Sequence, residues 1–481
     1  MQKHPRTKRP RSSPKHHRTK TKPPAKGSAA RAQVSPEQAR EDSGGFLSLL
    51  LRRMSWEQLN GLDQRKHRAG RPTHALDRGQ LLAAILFHYT VSWTGTLAEH
   101  LVCLLGIDLA ESTLSERRQA LPWEVFGELL GRVLRPMAGN PPQGFFKRWR
   151  LTAIDGVRFS LPNTEQVNAK CKKHGNQKGR TAFAKLQCAA LVELRWHNPL
   201  AAAVAQAGES EWKLALPLLS HLPKGCLLLA DRLYGCGAFL WAAIQVLQRR
   251  EGRFLVRAKE SLKVVRRGER FKDGSQLVEI KVLDPADYHR VLATLEVREV
   301  RATVHRAGYR PVPLRLWTNL SCQEASAPEL VRLYLERWEQ ELYFRELKWH
   351  LGVNDLLRSQ TPETAAQEVA AMIIGSSLVA HERASLKPGE ASCHRISFIK
   401  VWETLEPLWL TLLLGADILS EGQKQQLCER FYRFAARRVM AKKRDRSCPR
   451  ALRQPIQPWP RMRDQKSVVG PLRIAISAIP S

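Results

Sequence analysis

The sequence predicts a mixed α/β fold, with an α/β core that is followed by a β-rich segment and flanked by helical regions. Three observations predict it. Apolar strands alternate with helical patterns from about Arg148 to Lys259. Apolar and polar residues then alternate from about 260 to 322, which is typical of antiparallel strands. Apolar, amphipathic runs typical of helices lie before and after these two regions.

The net charge restricts the class of partner more than any other bulk property. The 481 residues carry a formal charge of +33, and the pI is about 10.3. Such a surplus is typical of proteins that bind nucleic acid. We expect no membrane span, because no run of about 18 uncharged apolar residues is present. A membrane surface could also attract the positive charge, but no basic amphipathic helix with a broad apolar face stands out, so nucleic acid is the favoured partner. Nine scattered cysteines without a C-x-x-C pair favour reduced thiols in a cytosolic protein.

The N-terminal part of the chain divides into an arm and a helical region. Residues 1–42 are predicted to form a basic, disordered arm, which follows DNA phosphates or serves only as a solubilising tail. Residues 43–145 contain helical patterns such as TLAEHLVCLLG and STLSERRQALPWEVFGELLGRVL, the second with a basic middle. We predict a helical DNA-binding domain here, and a plain helical bundle is the alternative interpretation.

Two aspartates each follow an apolar strand in the first part of the core, residues 146–259. Asp155 ends the run LTAI, and Asp231 ends the run CLLLA. An apolar strand that runs into a single carboxylate presents that acid at the edge of a sheet, where active-site residues often lie. The alternatives are a plain Asp-Gly hairpin turn for Asp155 and a loop or capping residue for Asp231.

The second half of the chain is predicted to contain four segments. Residues 260–322 form an antiparallel β insertion with glycine-containing turns. Residues 323–385 complete the core and contain a helix from Tyr334 to His350. Residues 386–445 form C-terminal helices, and residues 446–481 form a basic tail.

Four glutamates lie on the predicted helix YLERWEQELYFRELKWH, and helix geometry separates one from the rest. At about 100° per residue, Glu341 shares an arc of about 60° with three other side chains. These are Tyr334, Arg337 and Lys348. The remaining glutamates, expected to be surface charges, are Glu336, Glu339 and Glu346. The alternative for Glu341 is simple ion pairing with an arginine four residues away.

Three carboxylates in a very basic chain favour a metal site. Asp155, Asp231 and Glu341 cannot converge without a cation that offsets their repulsion. Mg²⁺ suits that role because it binds carboxylates, water and phosphate oxygens. Two such ions about 3.5–4 Å apart support phosphoryl transfer by activating the nucleophile and stabilising the leaving oxygen. We therefore predict two Mg²⁺ ions, with Mn²⁺ as a substitute.

The sequence resembles the insertion-sequence-four family of bacterial DDE transposases. The family pattern Y-x2-R-x3-E-x6-K is matched at every position by Tyr334, Arg337, Glu341 and Lys348. LTAIDG resembles the first catalytic block, LLLADRLYG the second and RWEQELYFRELKWHLG the third. The downstream run LLRSQTPETAAQEVAAMII is also similar to the family. The resemblance covers about 148–378, and the β segment matches only in kind.

The resemblance implies an RNase H-like catalytic core that is interrupted by a β domain before the catalytic helix. It also implies that Asp155, Asp231 and Glu341 are the catalytic residues and ligate the divalent metals. The residues that it implies for contacts with DNA are Tyr334, Arg337, Lys348, Arg232 and Tyr234.

The function implied by the resemblance is DNA transposition. The protein would bind terminal inverted repeats, cleave DNA at the element ends and transfer the freed 3′-hydroxyl to target DNA. The N-terminal helices would read the repeats, and the C-terminal helices would pair protomers in a synaptic homodimer in the bacterial cytoplasm, associated with the nucleoid. Two alternatives stay open: a structure-selective nuclease on the same core without strand transfer, and a non-catalytic DNA-binding derivative.

Overall fold

The computed structural model describes most of the chain between residues 45 and 440 and three short segments beyond it. The described residues are 45–62, 76–91, 95–137, 144–171, 173, 175–176, 179–205, 209–260, 262–284, 287, 289–305, 310–350, 356–386, 396–440, 446–447, 468–469 and 473–476. The arm predicted for 1–42 lies outside them, as does most of the tail predicted for 446–481. No helix within these ranges is long and apolar enough to cross a membrane.

Helices make up the ordered elements of residues 45–137. They are α1 Phe46–Leu51, α2 Trp56–Asn60, α3 Arg78–Thr90, α4 Leu97–Leu105, α5 Glu111–Ala120 and α6 Trp123–Val133. Helices α2, α3 and α4 begin with capping boxes, in which Ser55, Asp77 and Thr96 each accept a hydrogen bond from a backbone N–H three residues on. Helix α4 is capped at its C-terminus by Gly106, whose φ of 67° is the left-handed conformation that glycine favours.

After the N-terminal helices, strands alternate with helices up to residue 257. A run of strands and then a run of helices follow. The first part contains β1 Phe145–Phe146, β2 Trp149–Ser160, α7 Glu165–Lys170, β3 Gly175–Asn176, β4 Gly179–Arg180, β5 Lys185–Glu193, β6 Asn198–Val204, α8 Glu211–Leu218, β7 Cys226–Ala230, α9 Gly237–Arg249 and β8 Arg253–Arg257. The second part contains β9 Arg266–Arg270, β10 Gln276–Leu283, β11 Val291–His305, β12 Val312–Thr318, α10 Ala327–Leu335, α11 Trp338–His350, α12 Pro362–Ser385, α13 Phe398–Leu414, α14 Glu421–Ala436, β13 Arg446–Ser447, β14 Val468–Val469 and β15 Arg473–Ile476.

Five strands of the core lie in the order β6-β5-β2-β7-β8. Strand β5 runs antiparallel to β2 and β6, whereas β7 runs parallel to β2 and β8. Every residue of β7 is buried, as expected for a parallel strand that is covered on both faces. This is the RNase H-like arrangement, so the predicted fold class is confirmed.

The β-rich segment extends the core sheet. Strands β9 to β12 form an antiparallel series, and β12 pairs with β8 of the core. Strand β15, from the region predicted to be a basic tail, pairs with β11. Trp317 on β12 is fully buried, and its indole N–H donates a hydrogen bond of 2.9 Å to Glu299. Apart from the separate pair β3–β4, the described strands of the core and of the predicted insertion therefore belong to one continuous sheet.

Helices cover both faces of the core strands. Helices α8 and α9 pack on one face, against residues such as Ile154 and Leu228. Helix α10 packs on the opposite face, against Leu151, Leu229 and Leu255. The odd-numbered positions 149–153 of β2 therefore face α10, and Ile154 faces α8, as the two-residue period of a strand requires. This alternation decides the side of the sheet to which each acidic residue points.

The N-terminal helices share a hydrophobic core with the C-terminal helices. The Phe46 ring lies 5.1 Å from that of Phe87 on α3 and 5.5 Å from that of Trp409 on α13, centroid to centroid. Helix α12 packs against α3 and α6 in the same core, which continues to Phe159 at the end of β2. The predicted boundary at residue 145 is thus a change of secondary structure and not a gap in packing. A DNA-binding role for these helices stays a prediction.

Candidate functional site

Asp155 and Asp231 lie side by side on neighbouring strands. The parallel ladder between β2 and β7 ends at the pair Ile154–Ala230, and each aspartate is the next residue of its chain segment. Strand β2 continues to Ser160, and Asp155 pairs with Ala190 of β5. The prediction that Asp155 ends its strand was therefore wrong, and so is the alternative of a hairpin turn. The carboxylate lies where the neighbouring strand stops.

Burial dominates the electrostatics of Asp155. Only 15% of its side chain is exposed. Burial raises its pKa to about 7, Arg337 opposes this shift, and the charge of Asp231 adds to it. The influence of Asp231 on this pKa agrees with the register of the strands. The charge of Asp231 therefore acts on the carboxyl group of Asp155.

The segment predicted as one helix from Tyr334 to His350 consists of two helices. Helix α10 ends at Leu335 and α11 begins at Trp338. At the junction, the N–H groups of Glu336 and Arg337 bond to carbonyls three residues earlier, as in a tight 3₁₀-type turn. The prediction of one continuous helix is thus corrected. Tyr334 belongs to α10, and its angular relation to Glu341 does not follow from a single helical wheel.

Arg337 connects the first aspartate to the predicted catalytic glutamate. One guanidinium nitrogen lies 3.0 Å from Asp155 Oδ2, and another lies 2.6 Å from Glu341 Oε1. Only 15% of the arginine side chain is exposed, compared with 35% for Glu341. The ion pair that was the alternative for Glu341 is present, but it also includes Asp155. Arg337 therefore links Asp155 to Glu341, and the strand register places Asp231 next to Asp155.

The other residues predicted to contact DNA differ in their surroundings. Tyr334 is buried, and its pKa is raised to about 12 by burial, with Arg337 opposing and Asp231 adding to the shift. The ammonium of Lys348 lies 5.6 Å from the centre of the Phe159 ring. Arg232 is exposed immediately after Asp231. Tyr334 thus interacts with Asp231 and Arg337, Arg232 is next to Asp231 in the sequence, and Lys348 contacts the ring of Phe159 on β2.

Tyr234 needs a different role from the one predicted. Its side chain is completely buried, and its hydroxyl donates a hydrogen bond of 2.9 Å to Oε1 of Glu211. A buried hydroxyl that already has an acceptor is not available to a DNA phosphate. We therefore withdraw Tyr234 from the predicted DNA contacts.

Glu211 is the acidic residue that the sequence analysis missed. It opens α8 after the N-cap Ser210, so its sequence pattern is that of an ordinary first-turn glutamate. Its charge raises the pKa of Asp155, and that of Asp231 raises the pKa of Glu211, in which burial is the largest cause. Only the tertiary structure brings it to the two aspartates.

The three glutamates predicted to be surface charges attach the helix pair to the β5–β6 turn. Glu336 forms a bidentate ion pair with Arg195, with distances of 2.7 and 2.9 Å. The His197 ring lies between Glu346, 2.5 Å from Nδ1, and Glu339, 3.4 Å from Nε2. The prediction of solvated charges was wrong, because the sequence does not show that this turn packs against the helices.

We expect the pair formed by His197 with Glu346 to make stability depend on pH. Burial alone would lower the pKa of His197, but its two glutamates outweigh burial and raise it. The stabilisation is therefore complete below about pH 6.5, the ordinary value, and is lost as pH rises through the folded-state pKa. Urea unfolding from pH 6 to 9 should show this loss, about 2 kcal/mol in size.

His197→Asn is the matched variant for this measurement. His197 has a φ of 52°, and asparagine tolerates that left-handed conformation. We expect the variant to be less stable at pH 6 and to lack this part of the pH dependence. Equal pH dependence in the two proteins would contradict the assignment.

The donor set fits a hard divalent cation, although the side chains do not enclose one. Among the described residues, no group of three or more His, Cys, Asp or Glu side chains forms a ready metal site. In this structure Arg337 pairs with both Asp155 and Glu341. Carboxylate oxygens are the ligands that Mg²⁺ prefers, and the raised pKa of Asp155 shows how poorly its buried charge is compensated. A divalent cation in place of the arginine would compensate the buried charge of Asp155 more fully.

Comparisons with known proteins find a family, a relative and a solved structure to which this chain is similar. Residues 149–377 match the transposase DDE domain family, a range that includes Asp155, Asp231 and Glu341. The chain is 24% identical over 365 residues to the transposase InsG for insertion sequence element IS4 of Escherichia coli (strain K12), which covers 73% of this chain and 78% of that protein. A piggyBac transposase synaptic complex with hairpin DNA gives a TM-score of 0.39 at 8% identity, covering 85% of this chain and 86% of that one.

Proposed function

We propose that this chain is a DDE transposase of the insertion-sequence-four family, because residues 149–377 match the transposase DDE domain and the chain is 24% identical to the transposase InsG. The proposed reaction is metal-dependent cleavage of DNA at the ends of an insertion sequence, followed by transfer of the 3′-hydroxyl to target DNA. One observation carries it: Asp155 and Asp231 adjoin on neighbouring strands, and Arg337 joins Asp155 to Glu341. Carboxylates in this arrangement suit phosphoryl transfer.

The proposed metal ligands are Asp155, Asp231 and Glu341. Two Mg²⁺ ions, or Mn²⁺ in their place, would supply activation of the attacking oxygen and charge stabilisation of the leaving oxygen. Strand β2 fixes the backbone of Asp155, and the end of β7 fixes that of Asp231. Glu341 projects from the first turn of α11, and its exposed fraction of 35% leaves it room to turn toward a cation.

Four residues are proposed to bind DNA phosphates around these carboxylates. The guanidinium of Arg337 suits a bidentate phosphate contact once it is released from its carboxylates, and Lys348 suits a single-point contact. Tyr334 lies beside Asp231 and would position the strand to be cut. Arg232 is exposed next to Asp231 and would hold the flanking backbone.

The proposed partners are the terminal inverted repeats, target DNA and a second copy of this chain. The N-terminal helices would read the repeats, and α13 and α14 would contribute to a synaptic homodimer. Both proposals come from the family and place the protein with the bacterial nucleoid in the cytoplasm.

A strand-transfer assay separates this function from that of a nuclease on the same core. The substrate is a precut element end with a free 3′-hydroxyl, mixed with supercoiled plasmid and Mg²⁺. We expect joined products that disappear when the 3′-end carries a dideoxynucleotide. Cleavage of uncut ends without any joining would support the nuclease instead.

DNA affinity should fall steeply with salt. The charge of +33 implies many phosphate contacts, each of which releases counterions on binding. With about six or more contacts, we expect the affinity to fall about 1,000-fold or more between 50 and 200 mM salt. Fluorescence anisotropy with a labelled element end would measure this slope. A DNA affinity that does not change with salt concentration would show that the excess of positive charge does not serve DNA binding.

A further inference from the structure

We propose that Glu211 is a fourth metal-binding carboxylate of this site, held in place by Tyr234. The proposal rests on the proposed function, because it adds a residue to the same metal-dependent centre. It makes Glu211 a ligand that acts together with Asp155 and Asp231, and it makes Tyr234 a positioning residue.

The first argument is the contact between Glu211 and strand β2. The carboxyl group lies so close to Gly156 that a Cβ atom at that position would be 2.1 Å from its carboxyl carbon. Any residue other than glycine would push the glutamate away. Gly156 therefore leaves room for a second carboxylate near Asp155. This explains the Asp-Gly sequence at a position where the chain makes no turn.

The second argument is the end of strand β7. The β2–β7 ladder stops at Ile154–Ala230, just before Asp155 and Gly156. Gly156 contacts Glu211 of α8, whereas Asp155, the preceding residue of the strand, pairs with Arg337 after α10. Because the neighbouring strand has ended, a side chain from α8 can reach the same edge as Asp155. Glu211 is only half-buried there, which leaves it open to a cation.

The third argument is that both carboxylate oxygens are oriented. Oε1 accepts the hydrogen bond of 2.9 Å from Tyr234, and Oε2 has a longer contact of 3.4 Å with Nε2 of Gln187. The side-chain oxygen of Gln187 accepts a 2.7 Å hydrogen bond from Arg158. Each carboxylate oxygen keeps a second lone pair, so these contacts fix the group without using its capacity to bind a metal.

The experiment measures Mn²⁺ binding to the DNA-free, full-length protein by titration calorimetry and by the electron paramagnetic resonance signal of free Mn²⁺. We expect Glu211→Gln to weaken Mn²⁺ binding by about tenfold or more, and Tyr234→Phe to weaken it by a smaller factor. Glu251→Gln, which alters an exposed glutamate paired with Lys224, should bind as the wild type does. Without metal, Glu211→Gln should melt no lower than the wild type, because it removes a repelling charge.

Asp231→Asn separates failure of this inference from failure of the proposed function. If Asp231→Asn loses Mn²⁺ affinity while Glu211→Gln and Tyr234→Phe keep the wild-type value, Glu211 is not a ligand and the inference is overturned. If Asp231→Asn also binds Mn²⁺ with wild-type affinity, the metal centre of the proposed function fails as well. Loss of affinity in both acidic variants supports both.

Discussion

Asp231→Asn is expected to reduce DNA strand cleavage at least about 1,000-fold, which corresponds to about 4 kcal/mol of transition-state stabilisation. The amide keeps the size of the side chain but lacks the negative charge that would bind a divalent cation. Asp231 is only partly buried at the end of β7, so the substitution leaves the core unchanged. Cleavage of a labelled element end in Mg²⁺ measures the rate, and gel shift measures binding, which should stay within about twofold.

The control for this prediction is Asp417→Asn, which removes the same charge from an exposed site between α13 and α14. It should cleave DNA at the wild-type rate. Asp155→Asn and Glu341→Gln should match Asp231→Asn, because all three acids are proposed to serve one centre. Wild-type cleavage by any of the three would remove that residue from the centre.

The sequence predicts the fold class because strand and helix patterns are local properties. The uniformly apolar run CLLLA indicates a strand that is covered on both faces, and β7 is one. The sequence does not predict that β12 joins β8, because pairing between distant segments depends on register and not on composition. The core and the β insertion therefore appear as separate segments in the sequence and as one sheet in the structure.

Only some of the residues of the site could be predicted from the sequence. Asp155, Asp231 and Glu341 are found because two follow apolar runs and the third matches a family pattern. Glu211 is missed because only the packing of α8 on Gly156 distinguishes it from other first-turn glutamates. The break between α10 and α11 is missed because it contains neither Gly nor Pro. The contacts of Glu336 with Arg195, and of Arg337 with Asp155, accompany this break.

Arg337→Gln is expected to destabilise the metal-free protein by about 3 kcal/mol, the typical result of breaking a largely buried ion pair from one side. The arginine compensates both Asp155 and Glu341, so its loss leaves two carboxylates without their common cation. Differential scanning fluorimetry in EDTA should show a lower melting temperature. The same variant should be stabilised more than the wild type by added Mn²⁺, because the ion no longer competes with a guanidinium for the carboxylates.

Arg195→Gln is the matched control, because Arg195 also pairs with the segment that joins α10 and α11 but through Glu336, outside the acidic site. It should melt lower in EDTA yet gain no more from Mn²⁺ than the wild type does. Equal Mn²⁺ stabilisation of Arg337→Gln and the wild type would show that the arginine and the metal do not share ligands. A larger gain in Arg337→Gln alone would mean that Arg337 holds the carboxylates until metal replaces it, which frees its guanidinium for a DNA phosphate.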